Sequence, residues 1–243
     1  MLTALRVLEE VAARQPVGVS DLSRALGMPK TTVQRAVLTL AEAGWLRAAE
    51  SEITRWQISH RALTVGLAGV NSSGLDEISH EEMRRLRDLT SETVHLAIPD
   101  GNELVIISRL EGTLPVRTYL QLGTRAPLHA SATGRAVLAT MSDEEIDRIL
   151  AHGPHRWTDR TLVDRDDILA EIGRTRERGY ALNPGEWRQG IGGIAVAVLN
   201  RQRRASAGLS ISMPLNRYEQ ADLPHFAGLL SEAAVRIGQL SGM

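Results

Sequence analysis

Residues Ser20–Leu40 read SDLSRALGMPKTTVQRAVLTL, the pattern of a helix, a glycine turn and a second helix. Ser20 is the kind of residue that caps a helix N-terminus. Leu22, Ala25 and Leu26 recur at i, i+3 and i+4, one apolar face. Gly27 sits where a left-handed backbone ends a helix, and Pro29 suits the first turn of the next because its missing N–H has no partner to lose there. In that second helix the spacing turns Val33, Ala36, Val37 and Leu40 inward. Thr31, Gln34 and Arg35 share the outer face, with Lys30 and Thr32 at its start. Short hydroxyls, a Gln, a Lys and an Arg suit the major groove: Gln pairs with adenine, Arg with guanine or phosphate, Thr with phosphate or a thymine methyl.

A helical hairpin with a solvated polar face is common, so the surroundings matter. Lys30 is the only lysine in the chain, and it stands where the second helix begins. After Gly44, Trp45–Arg47 and Ile53–Ile58 read as two short strands around a polar turn, Ala48–Glu52. Helix-turn-helix followed by a hairpin is a winged helix-turn-helix, with Arg47 and Arg55 on the wing near the DNA backbone. Leu5, Leu8, Val11 and Ala12 supply a first helix that completes the core.

The chain has 243 residues, enough for two domains, and 43% hydrophobic content, that of a soluble globular protein. No apolar run approaches the length of a membrane span, and no basic-then-apolar leader is visible at the N-terminus. With no cysteine there is no disulfide, thiolate nucleophile or cysteine metal site. A cytoplasmic protein is expected. The net charge of −1 does not announce a nucleic-acid binder. Seven cations face six anions between Met1 and His60, so tight DNA binding calls for more than one protomer.

His60–Val70 reads as a helix weakened by Gly66 and Gly69, and Asn71–Gly74 as a break. The expected domains are residues 1–59, a linker helix over 60–74, and residues 75–243. The last opens with a helix carrying Leu75, Ile78, Glu82, Leu86 and Leu89. Strands are expected at Thr93–Ile98, Leu104–Arg109, Val116–Leu122, Tyr180–Asn183, Ile191–Leu199 and Ala205–Met213. Helices are expected at His129–Met141, from Ser142 with a capping box at Glu145, at Asp164–Arg178 and at Asp222–Leu240. This is a mixed α+β domain.

No nucleophile elbow or metal-ligand spacing stands out, and His152-Gly153-Pro154-His155 reads as a surface turn. Gly190-Ile191-Gly192-Gly193 precedes a strand, so it is not a dinucleotide loop but a place of close backbone approach or a bulge. Ser131 and Thr133 open a helix rich in small residues, whose first-turn amides suit a carboxylate. Ser210 and Ser212 share one face of a strand. Facing inward they line a cavity; facing outward they are ordinary solvent-exposed serines.

The chain resembles the IclR family of bacterial transcriptional regulators over nearly its whole length. The likeness is carried by GMPKTTVQRAVLTLAEAGWLR (Gly27–Arg47), APLHASATGRAVLA (Ala126–Ala139), RERGYALNPGEWRQGIGGIAVAV (Arg176–Val198) and LSISMP (Leu209–Pro214). That resemblance implies a winged helix-turn-helix, a linker helix and a GAF-like effector domain. It also implies dimers or tetramers that bind palindromic operators, with neither catalysis nor a cofactor. By position the DNA contacts are Lys30, Thr31, Thr32, Gln34, Arg35, Arg47 and Arg55. The effector contacts are Ala132, Thr133, Asn183, Gly193, Ser210 and Ser212, with Val116, Ala126 and Ile191 on an apolar side. Some members place a carboxylate at the position of Asn183 and a cysteine at that of Gly193, which makes the pocket here less acidic and roomier. A small organic acid is the expected effector, with an aromatic carboxylate as one candidate class. Two other readings are a constitutive DNA binder with a structural second domain, and an enzyme on small acids that dimerises through its N-terminal helices.

Overall fold

A computed structural model of the chain describes residues 1–50, 53–70 and 75–240. Contacts divide it into two units, residues 1–72 and 73–243.

In the first unit α1 (Leu2–Arg14), α2 (Val19–Leu26) and α3 (Lys30–Glu42) pack around Val7, Val11, Leu22, Val33 and Val37. α2 ends where Gly27 turns left-handed, φ 62° and ψ 29°, a conformation that burdens any residue with a Cβ. The corner is closed twice: the Met28 amide donates to the Ser23 carbonyl, and the Ser23 hydroxyl donates to the Met28 carbonyl. Pro29 takes the N-cap position and α3 opens at Lys30. Val33, Ala36, Val37 and Leu40 are all buried, as their spacing predicts.

Details differ from the expectation. α2 begins two residues early, at Val19, with Gly18 rather than Ser20 as its N-cap. The Gly18 carbonyl already accepts from Asp21 and Leu22, so the turn closes without a side-chain cap. Ala25 is exposed. In α1 the buried pair is Val7 and Val11; Leu8 flanks the core, Ala12 is exposed and Leu5 is 49% exposed. β1 (Leu46–Ala48) and β2 (Trp56–Ile58) pair antiparallel with Arg47 opposite Gln57. β2 starts at Trp56, where the chain also bridges Val17, and not at Ile53. Ser51 and Glu52 of the polar turn lie outside the described residues, as does the break Asn71–Gly74. α4 (His60–Val70) is continuous, with the Arg61 guanidinium 5.8 Å from the centre of the Trp45 ring.

The second unit is built on one six-stranded antiparallel sheet. Its strands are β3 (Thr93–Asp100), β4 (Glu103–Leu110), β5 (Arg125–Pro127), β6 (Ala181–Pro184), β7 (Ile191–Leu199) and β8 (Ala205–Pro214), in the order β5-β4-β3-β8-β7-β6. α5 (Leu75–Thr90) and α10 (Leu223–Leu240) cover one face, burying Met83, Leu86, Leu230 and Ile237 against Val94, Leu96, Val196 and Leu209. α6 (Ala132–Leu138), α7 (Asp143–Leu150) and α8 (Arg165–Arg178) cover the other, and α9 (Leu215–Tyr218) is a single turn. Helices on both faces of an antiparallel sheet give the GAF-like arrangement. Strand alternation decides which residue goes where: Ile194 and Val196 face α10, while Ala195 between them faces Ala132 and Ala136 of α6.

The capping box of α7 is present, with Ser142 and Glu145 bonding each other's backbone amides. Asp164 caps α8 and Gly179 ends it. α6 is shorter than His129–Met141, because Ser131 caps it by accepting from the Gly134 amide. On α5, Leu89 is exposed and Met83 takes the buried position. Val116–Leu122 is not a strand. Its burial alternates, with Thr118 and Leu120 inside, but its carbonyls meet side chains instead of a neighbouring strand. Val116 O accepts from Arg217, Thr118 O from the Thr93 hydroxyl, and Leu120 O from Arg109. Three long-range donors thus stand in for a ladder. The segment forms a strap along the sheet.

Candidate functional site

On the first unit, Lys30, Thr31, Thr32, Gln34 and Arg35 are all exposed on the first two turns of α3. The buried stripe fixes this: residues on the side opposite Val33, Ala36, Val37 and Leu40 have nowhere else to go. Leu38, which the sequence reading passed over, is 52% exposed on the same side. Lys30, Gln34 and Leu38 form one wall of a groove whose other wall is Ile53, Thr54 and Arg55. The structure therefore brings Arg55 to α3, tied by its guanidinium to the Pro16 carbonyl at 3.2 Å. Arg47 lies on β1, exposed, beside Gln57.

On the second unit, register brings polar residues from four strands into rows. Thr93, Ser212, Gly193 and Asn183 oppose one another across β3, β8, β7 and β6. Two residues along, Arg109, His95, Ser210, Ala195 and Ala181 do the same. α6 covers the alanine end of these rows. Beside the start of α6 a small cavity of about 50 Å³ remains. Ala126, Ala132, Thr133, Asn183, Ile191, Gly193, Ser210 and Ser212 all line it. The two serines face inward.

Val116 does not belong to this set. Its carbonyl is turned to Arg217 and its side chain is 66% exposed, so Thr118 and Leu120 line the cavity instead. Asn183 lines the cavity with its amide already engaged: Nδ2 donates to Ala130 O at 2.7 Å, and Oδ1 accepts from the Glu186 amide at 2.7 Å. Gly193 leaves space, since a Cβ there meets Ala132 Cβ only at 3.6 Å. Gly192 is the close approach that the glycine run predicted, with its hydrogen against the Tyr218 ring.

His95 is the main residue that sequence reasoning missed. It is 1% exposed, and burial, with the charge of Arg109 behind it, lowers its pKa to about 3. The ring is therefore neutral at physiological pH. Its only sequence signal is a histidine in an alternating apolar strand, which more often marks a core position. Trp187 and Arg188 close another side of the cavity, with the Arg188 guanidinium 4.9 Å from the Trp187 ring centre. That loop is anchored by a buried ion pair between Arg135 and Glu186. Arg135 also donates to His129 O at 2.8 Å and Leu182 O at 3.0 Å. Burial lowers its pKa to about 10, which leaves it charged. Among the described residues no three His, Asp or Glu side chains converge as metal ligands, and no helix is long and apolar enough to cross a membrane.

Known proteins share both units. Residues 3–50 match the IclR helix-turn-helix domain, and residues 68–239 match the family described as bacterial transcriptional regulator IclR C-terminal. The HTH-type transcriptional regulator KdgR of Escherichia coli K12 is 30% identical over all of this chain and 92% of its own. The transcriptional repressor IclR of the same organism is 30% identical over 96% of this chain and 86% of its own. An IclR homolog from Microbacterium hydrocarbonoxydans, crystallised with 4-hydroxybenzoate, superposes with a TM-score of 0.85 at 25% identity, covering 98% of this chain and 96% of that one.

Proposed function

The chain belongs to the IclR family of bacterial transcriptional regulators, DNA-binding proteins rather than enzymes, and on that premise we propose that a small organic acid in the cavity of its second unit controls where its α3 helix can sit on DNA. Thr31, Thr32, Gln34 and Arg35 reach base edges, while Lys30, Arg47 and Arg55 hold phosphates and set the register. The near balance of charge in residues 1–60 favours a homodimer or tetramer on a palindromic operator, because one protomer gains little from counterion release. Two recognition helices must match half-sites about one helical turn apart, or a multiple of it. A ligand that prefers one arrangement of the protomers shifts that match. Residues 60–74 serve as the linker between residues 1–59 and 75–243, and the protein works in the cytoplasm.

The observation that carries the effector reading is the cavity beside Ser210, Ser212 and the first turn of α6. First-turn amides of a helix lack intrahelical acceptors and favour an anion. A volume of about 50 Å³ suits a short acid as the cavity stands. A benzene-sized ligand needs roughly 150 Å³. Entry of an aromatic acid such as 4-hydroxybenzoate, the ligand of the Microbacterium relative, requires the Trp187–Arg188 loop or the 116–122 strap to move outward.

Thermal-shift titration against short aliphatic and aromatic carboxylates tests this. A binder raises the melting temperature as its concentration exceeds its dissociation constant. The same acid should change the mobility of the protein bound to its own promoter DNA in a gel shift. DNA binding that no acid alters favours the constitutive regulator.

A further inference from the structure

We infer that His95 reads the effector, as a hydrogen-bond acceptor, and that the effector is a hydroxy acid whose O–H donates to Nε2. The inference rests on the cavity being the effector site, and it follows from counting protons along one chain of side chains.

His95 lines the cavity beside Ser210, its opposite number across β3 and β8. Nδ1 is turned to Ser212 Oγ at 3.4 Å. Ser212 Oγ is 2.6 Å from Thr118 Oγ1, and Thr118 Oγ1 in turn donates to the Ser212 backbone carbonyl at 3.1 Å. A threonine hydroxyl has one proton. We assign that proton to the carbonyl, although Ser212 Oγ is the nearer acceptor, and on that assignment Thr118 Oγ1 accepts from the Ser212 hydroxyl. That uses the single proton of Ser212, so Ser212 Oγ accepts from His95, and Nδ1 is the protonated nitrogen. A neutral imidazole has only one N–H. Nε2 is then a bare lone pair, buried and without a partner. Burial together with Arg109 keeps the ring from taking a second proton near neutral pH.

A carboxylate offers no proton to such an atom; a hydroxyl does. The hydroxyl belongs at His95, with the acid group elsewhere in the cavity. A keto acid or an unsubstituted acid leaves Nε2 unpaired on binding, and a site built to receive a donor rejects the analogue that lacks it.

Matched acids test this on the full chain. Lactate against propionate, and 4-hydroxybenzoate against benzoate, are titrated into the parent, His95→Phe and His95→Gln. Thermal denaturation first establishes that each variant folds. In at least one pair the parent should bind the hydroxy acid about tenfold or more tighter than its partner. His95→Phe, which keeps a flat ring without an acceptor, should bring that ratio to about one while still binding the partner acid; His95→Gln, whose Oε1 accepts near Nε2, should restore part of it. A parent that binds acids without regard to the hydroxyl, or a His95→Phe that keeps the preference, overturns the inference and leaves the cavity as an acid site. Nitrogen-15 NMR of the ring decides without any ligand: a proton on Nδ1 alone upholds the assignment, and a proton on Nε2 overturns it. If the parent binds none of the four acids, the acid reading fails and the tautomer alone decides the role of His95.

Discussion

Asn183 Nδ2 lies 2.7 Å from the carbonyl oxygen of Ala130, and that bond fixes the residue just ahead of the Ser131 cap of α6. Both atoms are buried, and only a donor satisfies the carbonyl. Asn183→Asp at neutral pH sets a carboxylate against a carbonyl oxygen, and should cost about 1–3 kcal/mol. The carbonyl holds the new carboxyl's folded pKa above the ordinary aspartate value, and protonation supplies a donor again, so the deficit relative to the parent should shrink as pH falls toward about 4. Urea denaturation of the pair at pH 7.5 and pH 4.5 checks this; a deficit independent of pH removes the Ala130 bond as its cause.

Gly193 and Gly134 separate space from packing. A methyl at Gly193 makes ordinary contact with Ala132 Cβ at 3.6 Å, whereas one at Gly134 falls 2.4 Å from the Leu128 carbonyl oxygen, a backbone atom that cannot step aside. Gly193→Ala should melt close to the parent yet weaken acid binding, because it takes space from a cavity of only about 50 Å³. Gly134→Ala should lose about 1–3 kcal/mol or more from overpacking. Melting curves and acid titrations of the two variants distinguish them. A Gly193→Ala that binds acids as the parent does places the ligand elsewhere.

His95 gives the acid side of the stability curve a definite sign. Folded, it stays neutral down to about pH 3; unfolded, it takes a proton near its ordinary value of 6.5. Between these values the unfolded chain holds more protons, so this contribution is complete above pH 6.5 and is lost as pH falls toward 3. The slope is at most about 1.4 kcal/mol per pH unit. Burial lowers the His129 pKa as well, so His95→Phe should reduce the slope without abolishing it. Denaturation of parent and variant at pH 7, 6 and 5 measures the difference; parallel curves mean that His95 is not buried neutral.

The Arg135–Glu186 pair is the buried charge that holds the loop over the cavity. Arg135→Met strands the Glu186 carboxylate and should cost about 3–5 kcal/mol, while Arg135→Met with Glu186→Leu should recover most of it, because desolvation then falls on neither group. Equal stability of the single and double variants indicates that Glu186 finds water once Arg135 is gone.

Much of this architecture was legible because it rests on local periodicity. The buried stripe of α3, the Ser142 cap and the alternation of Ser210 and Ser212 each depend on neighbours in sequence. What escaped depends on residues far apart. Nothing near Val116 shows that Arg217, 101 residues on, receives its carbonyl, nor that Thr93 and Arg109 do the same for Thr118 and Leu120. The strap therefore looks like a strand, and only the carry-over of the family's positions puts Val116 in the pocket. His95 was passed over for the same reason: only the register with β8 sets it opposite Ser210.

Arg35 and Arg47 should fail in different ways on DNA. Arg35 projects from the side of α3 opposite its core stripe, the side proposed to read base edges, and Arg47 lies on the small sheet, proposed to hold a phosphate. Arg35→Ala should cost about 1–3 kcal/mol on the cognate operator and flatten the preference between operator variants. Arg47→Ala should weaken all sequences alike and lower the dependence of log K on log salt by about one phosphate contact. Fluorescence anisotropy on operator and scrambled duplexes at several salt concentrations separates the two outcomes. A uniform loss with Arg35→Ala would move that residue from base readout to the phosphate backbone, leaving Thr31, Thr32 and Gln34 to carry the sequence preference.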